Sequence, residues 1–260
     1  MERRHVDRIA LIADTGNARA ARAAADLADR YTFIAEGSAD VGVVVGGDGF
    51  MLRTLHRLLD GQRALPLYGL NCGTVGFLLN RYQPDGLPER IRDAQPTSLH
   101  PIQLQAIHGR RQRTTRLAIN EVSLFRASVQ TARIRVTVDG NVQMDELHGD
   151  GLIIATGAGS TAYNRSAGGP ILPLTAQLLT VTPVAAFRPR SWRGALLPSD
   201  AQITLEVLDS DKRPVNAAAD HHEVTNVRQV IVTHRPDRSM ALLFDRTHTL
   251  ESRILAEQFR

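Results

Sequence analysis

The sequence predicts an α/β N-terminal domain built on a parallel sheet, followed by a β-rich C-terminal domain. Three observations carry that expectation. The first third alternates short apolar runs with segments of helical spacing. Beyond about residue 99 the apolar runs become short, β-branched and closely spaced, with turn residues such as Asp139-Gly140-Asn141 between them. The chain has 260 residues, 43% of them apolar, which is enough for two cores.

Taken in order, residues 8–13 read as a strand and residues 18–31 as an alanine-rich helix burying Leu27. Residues 41–45 are valine except for Gly42, the mark of a strand covered on both faces. Gly46 to Gly49 breaks it, and residues 50–59 show helical spacing through Met51, Leu52, Leu55, Leu58 and Leu59. Residues 65–70 form the next strand, ending in Asn71-Cys72-Gly73. A β-α-β-α-β order implies parallel strands with helices on their faces. Pro84, Pro88 and Pro96 bracket a short helix within residues 85–99. Strands are then expected at 115–120, 132–139, 151–155, 202–208 and 229–234. Residues 247–259 return to helical spacing through Leu250, Ile254 and Leu255, as a strut back to the first domain. The expected boundaries are 1–97 for the α/β domain, joined by a C-terminal helix at 236–260, and 98–235 for the β-rich domain.

Charge and composition exclude several classes. A net charge of +4 is too mild for a nucleic-acid footprint, and Arg110, Arg111, Arg113 and Arg116 read as a solvated turn between strands. The sole lysine, Lys212, sits in Asp-Ser-Asp-Lys-Arg-Pro, so the Gly-Lys-Ser/Thr of a P-loop is missing. No apolar run approaches the ~20 residues of a membrane span. The charged start, Met1 to Arg8, lacks a signal-peptide pattern, and Glu2, Asp7, Asp14 and Asp26 spoil that of a transit peptide. One cysteine, Cys72, rules out an internal disulfide and an all-cysteine metal site. A cytoplasmic protein without membrane or nucleic-acid partners is expected.

Three segments carry chemistry. Gly46, Gly47, Asp48 and Gly49 stand at the carboxyl end of a buried strand, where open α/β sheets bind ligands. Glycines let a backbone approach a phosphate, and the N–H groups of the next helix point at the anion. A carboxylate there repels phosphate, so Asp48 serves as a base, holds a magnesium ion, or merely caps the helix. The second segment runs from Asp150 to Pro170, an apolar strand opening into a loop of glycine, serine and threonine. Its donors and hydroxyls suit the amide, ribose and ring edges of a nucleotide; as an ordinary small-residue turn it would carry none of these. Tyr163 either stacks on a base or fills a core. The third is Asn120-Glu121, ending a strand, where an Asn side chain both donates and accepts. Cys72, in a glycine-rich turn without a neighbouring base, reads as packing. His221 and His222, after Asp220, form a candidate metal pair, but neighbours on a strand point to opposite faces, which favours a surface turn.

Together, Gly46-Gly-Asp-Gly49, Asn71-Cys-Gly-Thr-Val-Gly-Phe-Leu78, Asn120-Glu121, and Asp150-Gly151 through Gly159-Ser-Thr-Ala-Tyr163 to Gly168-Gly-Pro170 resemble the NAD kinases in order and spacing. Phe187-Arg-Pro-Arg-Ser-Trp-Arg-Gly-Ala-Leu-Leu-Pro198 looks like the alphaproteobacterial branch. The resemblance spans roughly residues 41–235 and implies a two-domain fold with NAD bound between an α/β and a β-rich domain. It also implies a homotetramer or homodimer. Position by position, Asp48 becomes the proton acceptor, Gly46 and Gly47 flank the phosphates, and Gly49 and Phe77 lie against NAD. Asn120 and Glu121 meet the adenosine portion and Asp150 the other end; His148, read from its place beside Asp150 and not from the resemblance, is a candidate contact to a phosphate of NAD. Thr161, Ala162, Tyr163, Asn164, Arg165 and Ser166, with Ala158 before them, wrap the adenine. The family usually has Thr at Phe50, and Pro and Thr at Gly157 and Ala158.

The implied reaction moves a phosphoryl group of ATP or polyphosphate onto the 2′-hydroxyl of the adenosine ribose of NAD, giving NADP. Mg²⁺, or another divalent cation, arrives with ATP, and Arg53 is a candidate for neutralising the triphosphate. No resident metal is expected. Two rivals share features of the sequence. A diacylglycerol or sphingosine kinase has a similar glycine-Asp loop but wants an apolar pocket, whereas residues 157–166 are polar. A non-catalytic NAD sensor gains nothing from a carboxylate facing phosphates.

Overall fold

The computed structural model describes residues 7–109 and 112–259. The expectations for residues 1–6, and for Arg110 and Arg111, lie outside them. The chain forms two compact units, one running to Leu99 and resuming over Arg238–Ala256, the other His100–Asp237 with the chain end from Glu257.

The first unit is the expected α/β layer. β1 (Ile9–Ala13), β2 (Val41–Gly46) and β3 (Leu67–Asn71) pair in parallel. They are connected by α1 (Ala18–Arg30), capped by the Asn17 side chain, and α2 (Asp48–Asp60). Every residue of β2 is buried, as its valines require of a strand covered on both faces. A two-residue strand, β4 (Asn80–Arg81), adds to β3, and α3 (Leu87–Asp93) leads into β5 (Gln95–Leu99). The expected helix at 236–260 is instead a strand, Met240–Phe244, followed by a helix, Leu250–Gln258. The strand is placed between β3, parallel, and β5, antiparallel, within the sheet, and the helix follows it inside the residues 247–259 expected to be helical. Met240, Leu242, Leu243 and Phe244 are buried, an apolar run of strand length held between two sheet partners. In the final helix Leu250 and Ile254 are buried, whereas Leu255 is 56% exposed, because it falls one residue off that face.

The second unit stacks two six-stranded antiparallel sheets. One contains β6 (Ile102–His108), β7 (Gln112–Ala118), β9 (Ala132–Val138), β10 (Asn141–Gly149), β14 (Ile203–Val207) and β17 (Val227–His234). The other contains β8 (Glu121–Arg126), β11 (Gly151–Ala155), β12 (Leu178–Val184), β13 (Ala195–Pro198), β15 (Val215–Ala219) and β16 (His222–Val224). Alternate residues such as Leu104, Ile134, Leu152, Ile154 and Leu205 point into one shared core. Completing the chain order, the unit-one strand Met240–Phe244 is β18, and the helices are α4 (Tyr163–Ser166) and α5 (Leu250–Gln258). Arg113 and Arg116 belong to β7 and not to a turn. Among the described residues no helix is long and apolar enough to cross a membrane.

Candidate active site

In the first unit, the ends of β2 and β3 interlock two glycine loops. Cys72 N donates to Gly46 O at 2.7 Å, and a Cβ on Gly73 would come within 2.9 Å of Gly47 Cα. Only glycine allows that approach. Asn71 organises the second loop, accepting from Gly73 N at 2.8 Å and donating to Val75 O at 3.3 Å. Gly76 then turns with φ +74, and a side chain there would strike the Asn71 amide.

Asp48 opens α2, but its carboxylate does not cap that helix. Gly47 holds the N-cap position, and Asp48 instead reaches across to the 71–79 loop. Oδ2 accepts from Gly76 N at 2.9 Å and Oδ1 from Leu78 N at 2.7 Å. An ionised carboxylate offers about four lone-pair sites, so two bonds fix its orientation and leave acceptor capacity. Gly49 is exposed beside it, and Gly46 is buried in β2. Phe77 is half-buried in the same loop. Arg53 is 3.9 Å from Asp14, with its guanidinium 5.7 Å from the Phe50 ring centroid. Cys72 is buried and free, and burial pushes its thiol up, in keeping with packing.

The second unit gathers the remaining segments. Asn120-Glu121 does not end a strand: β7 stops at Ala118, and Glu121 begins β8. Asp220 causes the turn between them. Its carboxylate accepts three successive backbone N–H groups, Ile119 at 2.7 Å and Asn120 and Glu121 at 3.0 Å each. Glu121 Oε2 is buried with no hydrogen-bond partner. Burial, and then the charge of Asp220, push the Glu121 carboxyl up to about 8. The 157–172 loop packs against the same turn. Thr156 N donates to Asn120 O, and a Cβ on Gly159 would lie 2.1 Å from that oxygen.

Within the loop, Asn164 is wholly buried. It donates to Ser160 O at 3.1 Å and Pro170 O at 2.9 Å, and accepts from the Thr180 and Thr182 hydroxyls. Asn164 is thus an internal brace of the loop, its amide used inward. Ala158 is likewise buried, its carbonyl accepting from the Thr161 hydroxyl. Ala162 turns the chain into α4, and Arg165 pairs with Glu257. Tyr163 and Ser166 are exposed, and the Tyr163 ring stacks on Phe125 at 5.4 Å. Asp150 lies elsewhere in this unit, bonded to Arg126 at 2.6 Å, while His148 Nε2 is 2.6 Å from Glu146. The His221 and His222 rings lie 4.0 Å apart and do not face opposite ways, since His221 sits in the turn and only His222 is on β16.

Sequence reasoning missed Asp220 and Ser160, whose hydroxyl donates to Gly157 O at 2.7 Å and accepts from Leu172 N at 3.0 Å. No local signal marks Asp220, which acts across about 100 residues. An Asn two residues before a Gly at a strand end is the signal that could have marked the turn role of Asn71, which sequence reasoning did not assign.

Known proteins align with this arrangement. The family model described as the ATP-NAD kinase C-terminal domain matches residues 119–235. The NAD kinase of Caulobacter vibrioides is 52% identical over 233 residues, covering 90% of this chain and 89% of that protein. The NAD kinase of Brucella melitensis is 48% identical, covering 95% of each. Among solved structures, an NAD kinase from Archaeoglobus fulgidus in complex with ATP superposes with a TM-score of 0.76 at 22% identity, over 97% of this chain and 99% of that one. Yeast NADH kinase complexed with NADH gives 0.73 at 21% identity, over 85% and 66%. The two structures establish the fold, and the half-identical relatives establish more: this chain belongs to the NAD kinase family.

Proposed function

We propose that the chain transfers the γ-phosphoryl of ATP, or a phosphoryl of polyphosphate, to the 2′-hydroxyl of the adenosine ribose of NAD, with Asp48 as proton acceptor. One observation carries this reading: a carboxylate held by two backbone N–H groups between interlocked glycine loops, at the carboxyl end of a buried parallel strand. A sugar hydroxyl is a poor nucleophile at neutral pH, so the transfer needs in-line positioning and a group to take the proton. Asp48 supplies the second. The glycine loop and the amino end of α2 favour phosphate oxygens close by. In the other unit, taken by itself, the turn held by Asp220 and the braced loop carry Asn120, Glu121, Tyr163 and Ser166, the residues that this reading assigns to the adenosine. The Archaeoglobus protein was solved with ATP and the yeast protein with NADH, which supports nucleotide donor and acceptor here. The same reading takes a homotetramer or homodimer and a cytoplasmic location. Incubating the purified protein with NAD, ATP and Mg²⁺ yields NADP if the reading holds; a protein that binds NAD without forming NADP overturns it.

Activity should require a divalent cation supplied with the donor, because Mg²⁺ travels with phosphates and keeps several waters. Chelator-washed protein regains full activity on adding MgATP. A stoichiometric transition metal retained through that wash, and needed for turnover, contradicts the prediction.

Gly157→Pro should lower KM for NAD. Gly157 is in the turn before Ser160, and a Cβ there meets Leu174 at an ordinary 3.5 Å. Proline narrows the unfolded and open-loop states, for a gain of about 0.4–1 kcal/mol, or several-fold at most. Turnover should change little, since the loop grips ground and transition state alike. Steady-state kinetics with varied NAD checks this, and a collapse in kcat shows that the chemistry needs the loop's freedom.

A further inference from the structure

The loop that orients Asp48 is itself held from its other side. Arg253, on α5, donates from Nη1 to Gly76 O at 2.7 Å, Phe77 O at 3.0 Å and Leu79 O at 2.5 Å. Its guanidinium lies 5.4 Å from the Phe244 ring centroid. The residues from Gly76 to Leu79 therefore turn N–H groups toward Asp48 and carbonyls toward Arg253. One peptide group does both. The amide joining Phe77 to Leu78 accepts from Arg253 through its oxygen and donates to Asp48 Oδ1 through its nitrogen.

A hydrogen bond to a carbonyl polarises the whole amide and strengthens what its N–H donates. Burying a cation is also expensive unless its donors are satisfied. Burial lowers the Arg253 pKa, while the charges of Asp48 and Asp245 act the other way, which places Asp48 within electrostatic reach of the guanidinium. An apolar residue at this position would leave three inward carbonyls without that donor. Arg253 is half-buried, and the cost of holding its guanidinium against three carbonyls is explained if the loop's orientation, and not only its packing, matters.

We propose that Arg253 is a positioning residue for phosphoryl transfer: it fixes the Gly76–Leu79 backbone so that Gly76 N and Leu78 N hold the Asp48 carboxylate toward the reacting hydroxyl. The proposal rests on the reading of Asp48 as proton acceptor. It assigns Arg253 no contact with either substrate.

The test compares Arg253→Lys and Arg253→Met in the purified full-length protein, each alone and combined with Asp48→Ala. Lysine keeps the charge and three donors but not the planar fork. A positioning role predicts a kcat loss of roughly tenfold or more for methionine, with partial rescue by lysine and KM for NAD within about threefold of wild type. On the Asp48→Ala background, single-turnover NADP formation should fall by less than about twofold further, because residues acting as a unit are not additive. Should the methionine variant fail to fold, the lysine variant carries the same comparisons. A folded methionine variant with wild-type kcat overturns the proposal, as does a loss confined to KM. So does a loss that multiplies fully with Asp48→Ala. Near-full turnover of Asp48→Ala alone is a different failure, that of the base reading itself.

Discussion

Asp48→Asn should reduce NADP formation by ~10²–10⁴-fold, the usual range for losing a positioned proton acceptor. The substitution is not silent structurally. Both carboxylate oxygens accept backbone N–H groups, from Gly76 and Leu78, and an asparagine has one oxygen and one NH₂. Its NH₂ therefore confronts one of those N–H groups, and a buried donor left unpaired costs about 1–3 kcal/mol. The expected variant is folded, with a thermal midpoint a few degrees lower and turnover nearly gone. Asp48→Glu separates the two contributions. It keeps a basic carboxylate but moves it by one methylene, so a rigid in-line geometry predicts a large kcat loss with proton-accepting chemistry still present. Near-full turnover in Asp48→Asn would make Asp48 only a clamp for the 71–79 loop.

The α/β order was readable because each signal was local and of the right period. Residues 41–45 are apolar on both faces, as a strand covered on both sides requires, and the glycines after them fix the turn into α2. β18 escaped because its sequence, Met-Ala-Leu-Leu-Phe, is an apolar run that helix and strand share until length and neighbours decide. β10 escaped for the opposite reason. Val142 and its neighbours are largely exposed on an edge strand, so Asn141-Val-Gln-Met-Asp-Glu-Leu-His lacks the alternation that marks a half-buried strand. The site divides in the same way. Asp48 stood out as a carboxylate among glycines, and Tyr163 as an aromatic in a small-residue loop. Asn164 belongs to the same loop, and sequence alone cannot say that its amide turns inward to Thr180 and Thr182. Arg253 and Asp220 act across long stretches of chain, on backbone atoms that every residue possesses, and so leave no pattern to read.

Glu121 carries the other large expected effect, a dependence of stability on pH. Its carboxyl is held up to about 8 by burial and by Asp220, against an ordinary value of 4.5. Below pH 4.5 the group is protonated whether the chain is folded or not, and its contribution is fully present. Between 4.5 and about 8 the unfolded chain ionises while the folded one keeps its proton, so unfolding releases a proton and stability falls as pH rises. Above about 8 both forms are ionised and the contribution is gone. The slope is about 1.4 kcal/mol per pH unit at most, giving roughly 4–5 kcal/mol across the window as an upper bound. Glu121→Gln removes the titration and keeps the shape. Its thermal midpoint should match wild type near pH 4 and exceed it near pH 8.5, by on the order of 5–10 °C. Melting both proteins across that range decides the matter. A midpoint difference that stays constant with pH would mean that Glu121 ionises normally in the folded protein, and that the charge of Asp220 is already spent on the three N–H groups of residues 119–121.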